Sequence, residues 1–254
     1  IPSISLKGLK GYFYQLAPLE KSVEKTVAEA SAQTNSYLQL INKEVHLSDI
    51  NVVFKSEPSH LNSSVVITDL VIHPKTLDLK NSIITLKDAT LDNSDFVIET
   101  DSKKTQTVSK DTILTVAPTP SFKFVAGQIT IKKSILKFDD LSAPRNPKGM
   151  DFSHLDIADF SLNASDLSYS TDTTLVSVKS AGFKEKSGFE LNNFTTDFAM
   201  NPTGVSLQNL LIQTPGSEIK KSAAITYPSL AAVKKDPGLL GMNIDLKNSK
   251  ITVK

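Results

Sequence analysis

The side chains best suited to chemistry in this sequence are four histidines and a knot of acids around one of them. His46, His60, His73 and His154 are scattered, and no two stand at a metal-ligand spacing. His154 lies between Asp151 and Asp156 and near Asp139-Asp140, which makes the one loose acidic cluster. Such a set would suit hydrolysis or calcium binding, yet paired acids in loops commonly act as solvated turn formers. No catalytic or metal-ligating residue is therefore assigned. Cysteine is absent, which removes thiolate nucleophiles, thiolate metal sites and disulfides. Neither a G-x-G-x-x-G phosphate loop nor a Gly-x-Ser-x-Gly turn occurs among the 10 glycines. The expectation is a protein that is not an enzyme and needs no cofactor.

Charge points the same way. The 254 residues carry 28 Lys+Arg against 27 Asp+Glu, a formal net charge of +1, without the basic excess that nucleic acid demands. Lysine pairs at Lys103-Lys104, Lys132-Lys133, Lys220-Lys221 and Lys234-Lys235 are interleaved with acids. They read as solvated strand edges and loop ends rather than as a lipid head-group patch. Sequons at Asn62, Asn163 and Asn193 are expected by chance in a chain rich in Asn, Ser and Thr. No run approaches the roughly 20 apolar residues of a membrane span. The chain starts at Ile1 and reads as a processed chain or a piece of something longer, so any membrane anchor would lie in another segment.

Two kinds of element must position these residues. In an N-terminal segment, residues 1–49, apolar or small residues at Leu16, Leu19, Val23, Val27, Ala30, Thr34, Tyr37 and Ile41 recur at helical steps. They predict an amphipathic helix over 18–45, opened by Pro18 and the acids Glu20 and Glu24. A second short helix is expected near Ser229–Val233, ending before Pro237-Gly238. Residues 50–254 read as strands rich in Val, Ile, Thr and Phe, with a long loop at 101–121 before Phe122. A hydrophobic fraction of 39% suits a thin or elongated core.

The strands repeat a pattern of two alternate apolar residues, four mostly polar residues with Ser third, and two alternate apolar residues again. It runs Leu77, Leu79 to Ile84, Leu86; Ala89, Leu91 to Phe96, Ile98; Ile129, Ile131 to Leu136, Phe138; Phe160, Leu162 to Leu167, Tyr169; and Ile244, Leu246 to Ile251, Val253. A step of seven flips a strand's face unless something intervenes. A four-residue hairpin turn cancels the flip, setting Leu79 opposite Ile84 and Leu77 opposite Leu86. A solenoid corner would satisfy the same spacing. The result is strand after strand with one apolar face, covered either by a second sheet or by closure into a barrel, or left as an open trough. Periodicity alone does not separate these.

Several stretches carry a family resemblance. They are Ile129–Asp140, Gly149–Leu155, Ser180–Leu191, Leu210–Ser217, Tyr227–Leu230 and Asp236–Gly238, in that order. Together they resemble the TamB (translocation and assembly module) branch of the AsmA-like family, of the type found in Bacteroidetes, across roughly residues 125–254. The resemblance implies an elongated, curled β-sheet groove, a "β-taco", without a catalytic centre. It implies a periplasmic protein, anchored in the inner membrane through a segment absent here, that shields phospholipid acyl chains on their way to the outer membrane. It further implies a TamA-type outer-membrane barrel as partner. On this reading the groove lining is expected to comprise Leu77, Leu79, Ile84, Leu86, Phe96, Ile98, Ile129, Ile131, Leu136, Phe138, Leu162, Leu167, Leu191, Leu207, Ile212, Leu246, Ile251 and Val253. The competing expectation is a structural or adhesive β-repeat with a filled interior.

Overall fold

The computed structural model describes residues 3–17, 44–78, 82–101 and 122–252. The protein is mostly β, built as one large curled sheet. The first six strands are β1 (Ser3–Lys7), β2 (Lys10–Gln15), β3 (Glu44–Ser56), β4 (Leu61–Asp78), β5 (Ile83–Asp92) and β6 (Asp95–Thr100). The long central strands are β7 (Lys123–Asp140), β8 (His154–Tyr169) and β9 (Thr174–Glu185). There follow β10 (Glu190–Leu191), β11 (Asn193–Asn201), β12 (Gly204–Gln213), β13 (Glu218–Thr226) and β14 (Gly241–Asp245). Among the described residues an α-helix, α1 (Leu230–Lys235), matches the second expected helix. The Ser229 side chain caps it by accepting from the Ala232 amide, and Pro237 lies just beyond its end.

The sheet order is β1-β3-β4-β5-β7-β8-β9-β11-β12-β13-β14, with β2 continuing the row of β1, β6 that of β5 and β10 that of β11. Most neighbours are antiparallel, but β1 and β2 run parallel to β3, and β5 and β6 run parallel to β7. Parallel neighbours require crossover connections of about a dozen residues or more, and the two longest connections of the chain join these pairs. The expected helix over 18–45 and loop at 101–121 fall in those connections and lie, apart from Glu44, Val45 and Asp101, outside the described residues.

The repeat is built differently from the expected hairpins. Only its first copy is a turn, and there Leu77 stands opposite Ile84 and Pro74 opposite Leu86; Leu79 is outside the described residues. The other copies lie along single strand rows. In each, one residue enters the left-handed region: Asn93 (φ 45°), Lys133 (φ 46°), Asp166 (φ 57°) and Asn248 (φ 66°). One residue removed from the alternation restores the face after a step of seven, as a turn would have done. Sequence spacing cannot tell the two devices apart, because both cancel the same flip.

These bulges align between strands. The first line passes from the β1–β2 break at Gly8 (φ 74°) through Asp49, Thr68, Asn93, Lys133 and Asp159. Along it the Gly8 amide donates to the Ser48 carbonyl (3.0 Å), Thr68 Oγ1 to the Asn93 carbonyl (2.6 Å), the Asn93 amide to the Lys132 carbonyl (3.0 Å) and the Lys133 amide to Ser161 Oγ (3.3 Å). The second line passes through Pro74 on β4, Lys87 on β5, Gly127 on β7 and Asp166 on β8. It continues through Thr196 on β11, Asn209 on β12, Lys221 on β13 and Asn248 beyond β14. A bulge bends and overtwists its strand, so aligned bulges crease the whole sheet and curl it.

Burial follows the creases. Ser94 and Ser134 are 0% exposed, as is Ala126, and Ala164 is 2% exposed; all lie within two residues of a left-handed residue or Gly127. Ile50, Leu86 and Leu210 are buried directly beside Asp49, Lys87 and Asn209. Side chains converge on the inside of a bend, and small ones suit that position. No second sheet covers the first among the described residues, and β1/β2 and β14 form its two open edges.

Candidate functional site

Register shows how the apolar residues assemble. Directly opposite residues of neighbouring strands share a face. One row runs Leu6, Leu47, Leu70, Leu91, Ile131, Leu162 and Ala181. A parallel row runs Ile4, Val45, Ile72, Ala89, Ile129, Ala164 and Val178. Beyond the first crease stand the rows Val52, Val65, Phe96, Leu136, Ile157 and Phe54, Ser63, Ile98, Phe138, Leu155. Beyond the second stands Leu77, Ile84, Phe124 and Tyr169. Seven strands at about 4.8 Å spacing make each of the longest rows about 29 Å long.

The other face is polar along the same strands. Thr90, Thr130, Asn163 and Ser180 are one of its rows, and Asp88, Gln128, Ser165, Ser177, Asp197 and Gln208 another. Cross-strand pairs such as Lys132–Asp92 (3.7 Å), Lys137–Asp156 (3.3 Å), His73–Asp88 (2.6 Å) and His46–Asp69 (2.6 Å) lie here. Asp197 accepts from Ser177 and from Asn209 Nδ2, and these two bonds hold its carboxyl below the ordinary range. The sheet is thus amphipathic: one face pairs charges in water and the other gathers aliphatic side chains.

The expected lining residues fall as follows. Leu77, Ile84, Phe96, Ile98, Ile129, Ile131, Leu136, Phe138 and Leu162 occupy the apolar face in the register above, and Leu86 and Leu167 flank Ala126 in a further row of it. Leu191 joins it opposite Phe183, Leu207 opposite Phe198 and Ala223, and Ile212 opposite Phe194 and Ile219. Leu246 and Ile251 follow β14 outside any strand, Ile251 at 62% exposure. Leu79 and Val253 are outside the described residues. Spacing alone did not single out Leu47, Leu70, Val45, Ile72, Val52 and Val65 of β3 and β4. Their alternation is plain, but they lack the Ser-centred interruption that marked the other strands.

The loose acidic cluster condenses into a tight polar node on the polar side of the β7–β8 end. His154 is 3% exposed; its Nδ1 meets Asp139 and its Nε2 faces the Ala143 carbonyl (3.1 Å). Arg145 also bonds Asp139 (3.0 Å). The bond from His154, helped by Arg145, holds the Asp139 carboxyl below its usual range. Asp151 accepts from the Asn146 amide (2.7 Å) and the Ser153 amide (3.1 Å), and its carboxyl is lowered by the first of these above all. Burial pushes Glu185 upward, but bonds from Ser187 and the Asp156 amide outweigh it and leave the carboxyl lowered. Every acid here is engaged by donors of the chain itself, and no group of His or acids among the described residues has the arrangement to hold a metal ion. Comparison with protein-family models and with curated proteins finds no match for this chain.

Proposed function

We propose that the apolar face of the curled sheet shields lipid acyl chains, and that the protein is a segment of a periplasmic lipid-transport protein of the TamB/AsmA-like type. The observation that carries this reading is the set of aliphatic rows crossing seven strands, with no second sheet over them among the described residues. Each CH₂ of an acyl chain taken out of water onto such a face gains about 0.8 kcal/mol. The head group stays in solvent. Because Leu6, Leu47, Leu70, Leu91, Ile131 and Leu162 repeat one chemistry at each strand step, a tail passes from strand to strand without a deep well. The sequence resemblance supplies the setting: inner-membrane anchoring through another segment, and a TamA-type outer-membrane barrel at the far end.

The test is organic extraction of the purified protein, with identification of co-purified lipid by mass spectrometry. Ile131→Arg and Leu162→Arg are measured beside the native chain, with Ile251→Arg as the control outside the rows. Phospholipid in the native chain and the control, lost from both folded row variants, is the expected result. A lipid-free native chain that melts cooperatively would instead favour a structural or adhesive β-repeat.

A further inference from the structure

The connection between β7 and β8 is longer than the short hairpins of the sheet. The hairpin connections at 170–173, 186–189, 202–203 and 214–217 hold two to four residues, whereas this one runs from Leu141 to Ser153. It is fastened at both ends and in the middle. The Asp140 amide donates to the Ser153 carbonyl (2.8 Å) and the Leu141 amide to the Thr100 carbonyl (2.8 Å). Asp151 draws in the Asn146 and Ser153 amides. Arg145 of the loop bonds Asp139 (3.0 Å), the Ser142 amide (3.0 Å) and hydroxyl (2.7 Å) donate to Asp140 Oδ1, and His154 ties Asp139 on β7 to the Ala143 carbonyl of the loop. Beyond these ties the loop leaves Leu141 (64% exposed) and Phe152 (73% exposed) in solvent.

A carboxylate and a backbone carbonyl only accept hydrogen bonds. Both bonds of the His154 ring therefore exist together only when both ring nitrogens carry protons. Asp139 on β7, Asp151 in the loop, Asp156 on β8, Glu185 on β9 and Glu99 on β6 line the spaces around it, against Arg145 in the loop, Lys137 on β7 and Lys186 after β9. We propose that the loop 141–153 is a proton-controlled flap at one rim of the sheet, held tightest while His154 carries two protons and loosened when it loses one. The direction is fixed by the chemistry: the histidine tie is lost as pH rises. The Asp139 carboxyl, held low by His154 and Arg145, keeps its charge well into acid and gives way only as pH falls further.

Nuclear magnetic resonance on the full chain tests this. The His154 ring signal is titrated between about pH 5 and 9, the span in which histidines change charge, and exchange of the Asn146 and Ser153 amides is followed alongside. After correction for intrinsic exchange, protection of these two amides is expected to drop about tenfold as the His154 ring loses its proton, while amides in the middle of β7 and β8 stay unchanged. His154→Gln is expected to abolish the pH dependence, and Asp139→Asn to move the transition to lower pH. Loop protection that stays constant across the His154 titration would overturn the proposal. So would a pH dependence that survives in a folded His154→Gln protein. If that variant fails to fold, the native titration and the Asp139→Asn shift decide.

Discussion

The middle of the sheet and its two ends are made of the same strands but curved differently. Across β4 to β8 both lines of bulges cross the strands, and residues on the inside of the bends, Ala126, Ser134 and Ala164, are almost wholly buried. Only the first line reaches β1 to β3, and only the second reaches β12 to β14. On the outermost strands apolar side chains stay in solvent: Phe13 is 59% exposed, Met242 69% and Ile244 53%. Among the described residues, burial is produced by bending one sheet twice rather than by laying a second sheet over the first. The depth of the trough therefore varies along its length with the number of creases.

The largest expected effect comes from filling a crease. A Cβ at Gly127 would meet the Lys87 carbonyl oxygen at 2.6 Å, and backbone cannot step aside. Gly127→Val is expected to cost about 3 kcal/mol or more in a urea melt. Ile244→Ala on the singly creased end is expected to cost less than about 0.5 kcal/mol. Equal losses at the two sites would erase the distinction between middle and end.

A smaller effect tests the left-handed positions themselves. Lys133 sits at φ 46° in the first crease. Lys133→Val places a β-branched side chain there and is expected to lose about 1–2 kcal/mol of stability, whereas Lys133→Gly is expected to gain up to about 1 kcal/mol. Both changes are read from denaturation midpoints. A neutral valine would mean that the crease is not held in this conformation.

The mildest test is acid. Asp139, Asp151, Glu185 and Asp197 all have carboxyls held low in the folded state. Depressed carboxyls contribute stability above their unfolded values and lose it as pH falls through the folded ones. The melting temperature is therefore expected to fall gradually below about pH 4, and less in Asp197→Asn, which has already given up one of these contributions.

Much of the sheet was readable in advance from alternation. The runs Ile129, Ile131 and Leu136, Phe138 placed their side chains on one face because period two is local physics. The resetting of that face was readable too, since four polar residues between apolar pairs must absorb a flip. How it is absorbed was not. Ser82 closes a turn after Leu77, while Lys133, in a near-identical setting, bulges within a continuous strand. The acids around His154 were visible as a cluster, but their order came only from the meeting of Asp139 on β7 with His154 on β8.

The sequence by itself determined the strand content, the amphipathic alternation, the absence of cysteine chemistry and the positions where alternation must reset, because each depends on neighbours a few residues apart. Only the tertiary structure decided that all but the first of the resets are bulges, that the bulges line up from strand to strand into two creases, and that among the described residues one sheet curls instead of two stacking. Those outcomes depend on register between strands such as β5 and β7, which pair across a long crossover. Cross-strand register is set by the sum of many contacts, and no short stretch of chain encodes it.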